Sequence, residues 1–357
     1  METERKLEQV TDCALCPNMC KYSCPVFLAT GNETLSPQKI ARLILYEEKA
    51  LIADRQGFFE VVFGNAMCGA CKRHCLYKDY DLREFILAGR VKAFNEGWLP
   101  EETRKRIDNF RKYGNPNGER ALIEKGTGST GYFISCSSYK DESILKAVDR
   151  LVAASGEQVQ QFGGSDICCG GPLYYAGDLE GFRAAAQEMA ARIRDRKLER
   201  LIVDCPNCMK MLTGEYPKAD VHLDVEIVHT TRFLSALLGE GKIRVSTTDT
   251  SATYHDPCIL ANDFDITEPP REILQRLGYR IVEPVYSRTD THCCGGPAGA
   301  RIGEARLARK VSEMRVNELR QTGAEVYTSA CATCKAVLAL PGMKDITELV
   351  AERLVDG

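Results

Sequence analysis

The chain contains Cys168-Cys169-Gly170-Gly171-Pro172 and, farther on, the same five residue types again as Cys293-Cys294-Gly295-Gly296-Pro297. A single cysteine precedes each copy and a Cys-x-x-Cys pair follows it, at nearly equal intervals. The first five-cysteine set is Cys136, Cys168, Cys169, Cys205 and Cys208, and the second five-cysteine set is Cys258, Cys293, Cys294, Cys331 and Cys334. Matched spacing of this kind indicates an internal duplication.

The sequence between these cysteines alternates strand and helix patterns in both copies. Apolar runs typical of buried strands, 131–136 and 252–258, lead into the first cysteine of each set. Other strands, 201–204 and 325–329, end just before each Cys-x-x-Cys pair. Amphipathic helices are predicted over 141–155, 178–197, 268–277 and 300–321, and a strand with a helix over 226–239 has a shorter counterpart over 345–354. This alternation favours a small parallel sheet in each copy, with the cysteines at strand ends, where α/β sheets place ligands.

Seven further cysteines precede the duplication in two groups. The first group, Cys13-Ala-Leu-Cys16-Pro-Asn-Met-Cys20-Lys-Tyr-Ser-Cys24-Pro25, is close to the bacterial ferredoxin run, with one residue inserted between the second and third cysteines. The second group, Cys68-Gly-Ala-Cys71-Lys-Arg-His-Cys75, matches the last three cysteines of that run, and Asn65 stands where the first would be. Thiolates are soft, charged donors that suit iron, so both groups predict iron-sulfur clusters.

In ferredoxins the fourth cysteine of each run ligates the other cluster. By that rule one head cluster would use Cys13, Cys16, Cys20 and Cys75, and the other would use Cys24, Cys68 and Cys71. The second of these lacks a cysteine. It is either a [3Fe-4S] cluster or a [4Fe-4S] cluster completed by Asn65, His74 or an exogenous ligand. Zinc also takes Cys-x-x-Cys pairs, but two near-ferredoxin runs favour iron.

The composition fits a globular protein that binds metal through cysteine. Of 357 residues, 44% are hydrophobic and 27% charged, which allows a buried core and excludes a disordered chain. With 47 basic and 50 acidic residues there is no positive field for a polyanion, so nucleic acid is excluded as a partner. The start lacks a signal-peptide pattern, and we expect a cytoplasmic protein without a transmembrane segment. Because thiols stay reduced there, 17 cysteines favour metal ligation over disulfides.

The paired cysteines followed by two glycines resemble the cysteine-rich CCG domain, which occurs twice in the B subunit of heterodisulfide reductase. With its ferredoxin-like head, the whole chain resembles the D subunit of heterodisulfide reductase, a fusion of the C and B types. The resemblance implies a non-cubane [4Fe-4S] cluster on each five-cysteine set, cubane clusters in the head, and cleavage of a disulfide between the paired CCG clusters.

The predicted fold class is α+β/α/β, a helical ferredoxin-type two-cluster head followed by two duplicated βα-layer CCG domains. The predicted boundaries are 1–96 for the ferredoxin-like domain, 97–130 for a helical linker, 131–245 for the first CCG domain and 246–357 for the second. Helices are expected over 37–49, where Ser36-Pro37 is a good start, and over 82–96 and 100–112.

These patterns predict an anaerobic iron-sulfur oxidoreductase that takes up electrons at the head and reduces a small disulfide or similar acceptor at the paired CCG sites. No nucleotide-binding fingerprint occurs, so the electrons must come from a redox partner protein: a flavoprotein, a ferredoxin or another member of a complex. The alternative is an electron-transfer subunit of a multi-subunit dehydrogenase without its own substrate site. Either function allows peripheral association with a membrane complex. A zinc-stabilised interaction protein is a third, weaker hypothesis.

One histidine is a candidate for chemistry. His255 lies three residues before Cys258, where it could donate a proton to a departing thiolate or tune a cluster through a hydrogen bond. A histidine that only bonds the local turn is the simpler interpretation. Lys140 and Lys335 lie close to cysteines in the sequence, and we expect solvated surface lysines at both positions.

Overall fold

The computed structural model describes residues 2–77, 79–296 and 304–355. Helices make up the first part of the chain: α1 (Glu2–Leu15), α2 (Pro25–Thr30), α3 (Pro37–Glu48), α4 (Arg55–Phe63), α5 (Ala70–Arg73), α6 (Leu82–Asn95) and α7 (Glu101–Tyr113). Helix α1 packs against α3 and α4 packs against α6, so apolar side chains such as Val10, Ile44, Phe58 and Ile86 form a buried core. Pro37 occupies the first turn of α3, as the sequence predicts.

The middle of the chain alternates strands with helices: β1 (Leu122–Lys125), β2 (Thr130–Ile134), α8 (Glu142–Ser155), β3 (Val159–Gly164), α9 (Gly171–Ala176), α10 (Leu179–Asp195), β4 (Arg200–Val203), α11 (Pro206–Lys210), α12 (Tyr216–Lys218), β5 (Glu226–His229) and α13 (Thr230–Gly239). The sheet order is β1-β3-β2-β4-β5, and only the β1–β3 pair is antiparallel. Strands β2 and β4 are buried along most of their length because helices cover parallel sheets on both faces.

The last part repeats this pattern: β6 (Ser251–His255), α14 (Cys258–Phe264), α15 (Glu268–Arg276), β7 (Arg280–Ile281), α16 (Ala305–Arg320), β8 (Val326–Ser329), α17 (Ala332–Leu338), β9 (Lys344–Asp345) and α18 (Ile346–Glu352). Its parallel sheet has the order β7-β6-β8-β9, which matches β3-β2-β4-β5 strand for strand. Phe133 is opposite Val203, and His255 is opposite Ser329. Val203 and Ser329 each lie two residues before a Cys-x-x-Cys pair. Phe133 and His255 therefore occupy equivalent positions in the two sheets.

The protein thus combines helices with parallel sheets, and the main predicted strands and helices lie close to their expected positions. The helix predicted over 300–321 is found as α16. The first four residues of the predicted range, 300–303, lie outside the described part of the chain. Strand β1 was not predicted, because it is a mostly exposed edge strand without the alternation that marks a buried face. It lies in the segment assigned to the linker and pairs with β3. Within the described residues, no helix is both long and apolar enough to cross a bilayer.

One carboxylate joins the three parts of the molecule. Asp263, on α14, accepts hydrogen bonds from Arg83 of the helical part at 2.7 and 3.0 Å and from Lys210 of the middle part at 3.1 Å. Burial alone raises the pKa of Asp263, but Lys210 and Arg83 outweigh burial and hold the pKa at about 2. The ionised carboxylate therefore stabilises the junction at every pH above about 4.

Asp263→Asn is expected to lower the free energy of unfolding by about 2 kcal/mol at neutral pH, because it removes the carboxylate that pairs with the buried Lys210 and leaves Arg83 with Asp81 alone. The pKa of this carboxyl lies below its usual value, so its contribution is lost only as pH falls through 3.8 towards 2. Urea unfolding should therefore show the same deficit at pH 6 and at pH 8. Asp265→Asn, at an exposed position next to the same helix, is the matched control and should change stability by less than about 0.5 kcal/mol. A deficit that grows between pH 6 and pH 8 would contradict this assignment.

Candidate metal centres

The two five-cysteine sets form at the carboxyl edges of the two sheets. Cys136 and Cys205 follow β2 and β4, and Cys258 and Cys331 follow β6 and β8 in the same way. Neighbouring parallel strands end at the same edge, so residues far apart in sequence meet there. The Cys-Cys-Gly-Gly segment of each copy supplies two more thiols, and the second cysteine of each Cys-x-x-Cys pair, Cys208 or Cys334, supplies the fifth.

The thiols of each set contact one another in the same order. In the first set the order is Cys136, Cys168, Cys169, Cys208 and Cys205, with 3.4 Å between the sulfurs of Cys169 and Cys208. In the second set the order is Cys258, Cys293, Cys294, Cys334 and Cys331, with 3.7 Å for the first pair and 3.4 Å between Cys294 and Cys334. Five touching thiols exceed the four ligands of tetrahedral zinc, so the donor set fits a sulfur-ligated iron cluster better.

The glycines after the paired cysteines allow this close wrapping. Gly170 and Gly295 both have φ of +77°, which other residues rarely adopt. A Cβ on Gly295 would lie 2.5 Å from the carbonyl oxygen of Ala308. The N–H of Gly295 donates to the sulfur of Cys293 at 3.4 Å, so the backbone here contacts a ligand sulfur directly.

Gly295→Ala is expected to cost about 3 kcal/mol, because the positive φ is strained and the new methyl group meets fixed backbone. We also expect lower iron content, since the backbone must move away from Cys293. Gly241→Ala is a matched control: its φ is +70°, but a Cβ there meets no atom within 4 Å, so only about 1 kcal/mol should be lost. Urea unfolding and iron analysis would test both, and equal effects in the two variants would refute the close-contact explanation.

The first head site contains Cys13, Cys16, Cys20 and Cys75, the four residues that the ferredoxin rule groups together. They line one cavity of about 220 Å³, and Cys71 lines it as well. Burial raises the pKa of Cys13 to about 11 and that of Cys20 to about 12, and the neighbouring thiols add to both shifts. Such thiols ionise only when a cation compensates their charge, which fits a metal cluster.

The second head site contains Cys24, Cys68 and Cys71, which line a smaller cavity with Asn65 and Arg83. Burial, and then the adjacent Cys68, raises the pKa of Cys71 well above its usual value. The Asn65 side-chain oxygen accepts a hydrogen bond from the N–H of Met67 at 2.7 Å, which closes the turn into Cys68.

Asn65 and His74 are two alternatives for the fourth ligand of the second head site, and they lie in different places. Asn65 lines the cavity of the second head site, although its oxygen already accepts a hydrogen bond. His74 is partly exposed, and its Nε2 lies 3.3 Å from Asp290 of the second sheet domain. The geometry therefore favours Asn65 or an exogenous ligand over His74.

The four cysteine sites are neighbours in series. Cys71 of the second head site has Cys20 of the first head site as a near neighbour. Cys24 and Cys68 of the second head site share a buried apolar cluster with Cys293 of the second five-cysteine set. Cys205 of the first set neighbours Cys331 of the second. The order in space is therefore first head site, second head site, second set and first set, which differs from the order along the chain.

The first five-cysteine set opens onto a groove of about 390 Å³. Its walls carry polar and basic side chains, including Lys105, Asn109, Asn117 and Lys140. The Asn117 amide donates to the carbonyl oxygen of Cys136 at 2.9 Å, which fixes one wall against the cysteine loop. Basic side chains outnumber acidic ones in this lining, which has Lys105, Arg106 and Lys140 against Glu102, although Lys140 pairs with Glu119 at 3.6 Å.

The surroundings of Lys335 differ from the expectation of a solvated surface lysine. Lys335 is largely buried between the two sheet domains, where its ammonium bonds Asp141 at 2.7 Å and Glu348 at 2.6 Å. Sequence reasoning also missed Asp204, which is buried beside Cys205 and accepts from the N–H of Ser135. Burial raises the pKa of Asp204 to about 6. Its position just before a ligand cysteine is the only signal that could have marked it.

Two α/β units that each bring five cysteines to the strand ends define a protein with paired cysteine-rich domains. The CCG cysteine-rich domain family matches residues 130–213 and 252–339. The chain is similar to the D subunit of heterodisulfide reductase: the D subunit of the dihydromethanophenazine:CoB–CoM heterodisulfide reductase of Methanosarcina acetivorans is 26% identical over 99% of this chain and 96% of that protein.

Another relative and one solved structure extend the comparison. The B subunit of the fumarate reductase (CoM/CoB) of Methanothermobacter marburgensis is 24% identical over 94% of this chain and 70% of that protein. The crystal structure of a hypothetical protein from Helicobacter pylori superposes with a TM-score of 0.60 over 90% of this chain and 68% of that chain, at 11% sequence identity. That structure therefore shares the fold, and the similarity carries no argument about activity.

Proposed function

We propose that this chain is the iron-sulfur subunit of an oxidoreductase, which receives electrons at the head and delivers them to a small disulfide or similar two-electron acceptor at the first five-cysteine set. The observation that carries the proposal is the continuous line of four thiol sites that ends in a surface groove. Iron-sulfur clusters held by these thiols would supply one-electron transfer.

The type of cluster that we propose for each site follows from the number of thiols at that site. The four thiols of the first head site suit a cubane [4Fe-4S] cluster, and the three of the second suit either a [3Fe-4S] cluster or a [4Fe-4S] cluster with one other ligand. For the two five-cysteine sets we propose non-cubane [4Fe-4S] clusters, which their identical order of contacts supports. All 17 cysteines are ligands in this assignment.

Exposed apolar side chains lie next to the cysteines of the first head site, as expected of a surface that binds a partner protein. Leu15, Met19, Leu76 and Tyr77 adjoin its cysteines, and each side chain is more than half exposed. Exposed apolar side chains grouped in this way mark protein–protein contacts. A redox partner that covers them would come close to the first head site, whether it is a flavoprotein, a ferredoxin or another member of a cytoplasmic or peripherally membrane-associated complex.

The groove at the first five-cysteine set has the features of an acceptor site. Reduction of a disulfide consumes two electrons and two protons and releases two thiols, and the electrons would come from the partner protein. Lys105 and Lys140 in the groove walls would attract an acceptor that carries carboxylate, sulfonate or phosphate groups. The groove is the reason to prefer an acceptor site on this chain over a simple electron-transfer subunit.

A direct assay distinguishes the two functions. Protein purified without oxygen would be mixed with reduced viologen and a panel of neutral and anionic disulfides, and viologen oxidation would be followed. Turnover by the chain alone supports the proposal, and anionic disulfides should react at lower concentrations. No turnover with any disulfide, together with activity only inside a complex, would identify an electron-transfer subunit without its own substrate site.

A further inference from the structure

We propose that His255 makes the two five-cysteine sets unequal: its Nε2–H donates a hydrogen bond towards the sulfur ligands at Cys294 and Cys334 and raises the reduction potential of the cluster held there. The inference rests on the proposed function, because it needs an iron-sulfur cluster on the second set. His255 is then a positioning residue that tunes the cluster, and the second set is the more easily reduced of the two five-cysteine sets.

The side chain lies directly behind the second set. His255 is the last residue of β6 and is completely buried. One of its ring nitrogens and the sulfurs of Cys294 and Cys334 all lie within 4.8 Å of one another. The imidazole therefore lies beside the thiols of Cys294 and Cys334.

The position of the imidazole proton follows from a neighbouring arginine. The Nε–H of Arg315 donates to Nδ1 of His255 at 3.1 Å, and a guanidinium has no acceptor, so Nδ1 must be the accepting nitrogen. Arg315 is held by Glu318 and by the carbonyl oxygen of Tyr286, both at 2.8 Å. The neutral ring therefore carries its single proton on Nε2.

The Nε2–H group needs an acceptor. It is buried and has no hydrogen-bond partner among the described residues, although buried polar groups are nearly always paired. We assign to it the sulfurs of Cys294 and Cys334, which lie within 4.8 Å of a ring nitrogen of His255. The same proton prevents Nε2 from ligating iron, so a hydrogen bond to sulfur remains the role that the geometry allows.

The first five-cysteine set lacks this donor. The position equivalent to His255 in the first sheet is Phe133, which is buried and packs its ring against Phe162. A hydrogen bond to a ligand sulfur stabilises the more negative, reduced state of a cluster and so raises its potential. The duplicated sites therefore differ at this equivalent strand position, and the set nearer the head is the one with the donor.

The test compares His255→Phe, which copies the first set, with His255→Gln, whose amide N–H can replace Nε2–H. Phe133→Leu serves as the control in the other copy. Redox titrations followed by electron paramagnetic resonance, with iron analysis, should show one signal from the duplicated domains moved to lower potential in His255→Phe. We expect about a tenfold change in its reduction equilibrium, which is ~59 mV for one electron. The Gln variant should restore most of the shift, and Phe133→Leu should leave that signal unchanged.

A second measurement uses the unaltered protein in case the Phe variant does not load iron. With ¹⁵N-labelled histidine and with D₂O exchange, pulsed resonance should detect one weak nitrogen coupling and one exchangeable proton on the same signal. A nitrogen coupling of ligand strength, or fully loaded His255→Phe with an unshifted potential, would overturn this inference alone. Protein without iron would instead overturn the proposed function.

Discussion

Replacing Cys293 and Cys294 together by serine is expected to abolish disulfide reduction driven by a protein donor, because the second five-cysteine set lies between the head and the first set. The head signals should remain, since the head sites use none of these thiols. The first set should still assemble, but a donor bound at the head should no longer reduce it. Anaerobic spectroscopy after mixing with reduced ferredoxin would measure each step.

The equivalent cysteines of the first five-cysteine set provide the matched comparison. Cys168→Ser with Cys169→Ser should also abolish turnover, but here the donor should still reduce the head sites and the second set. This difference tests the spatial order of the sites rather than the mere need for cysteines. If the donor reduces the first set normally when the second set is missing, the proposed line of sites is wrong.

Arg90→Met is expected to lower the free energy of unfolding by about 3–5 kcal/mol. Arg90 is completely buried and donates to the carbonyl oxygens of Val62, Asn65 and Tyr175 at 2.8–3.0 Å. Methionine fills a similar volume but leaves these three buried acceptors without a donor. Because Asn65 begins the turn into Cys68 and Tyr175 belongs to the first sheet domain, the head should also loosen from that domain.

Urea unfolding under anaerobic conditions would measure this loss, and iron content should fall at the second head site. Arg104→Met is the control, since the exposed Arg104 makes one bond, to the carbonyl oxygen of Gly97 at 3.1 Å, and its loss should cost about 0.5 kcal/mol. Equal stability of the two variants would mean that water replaces the Arg90 bonds without penalty.

Much of the site could be predicted because its geometry is local to strand ends. A cysteine directly after each parallel strand must reach the carboxyl edge of the sheet, so the repeated spacing of Cys205 and Cys331 was sufficient to predict two matched sets. Strand β1 could not be predicted in the same way, because an exposed edge strand has no buried face to mark it. The role of Lys335 was misjudged because its partners Asp141 and Glu348 lie on helices of different domains.

The sequence by itself determined the two matched five-cysteine sets and their duplication, since spacing along the chain controls which thiols can share a strand end. Only the tertiary structure decided the order of the sites. The Asn262 amide bonds the carbonyl oxygen of Cys68, which is 194 residues away, and thereby helps dock the second sheet domain, rather than the first, against the head. Only the structure decided the state of His255 as well, because the proton of this strand residue is placed by Arg315 on helix α16. Contacts of this kind arise from burial between distant segments, and no local pattern records them.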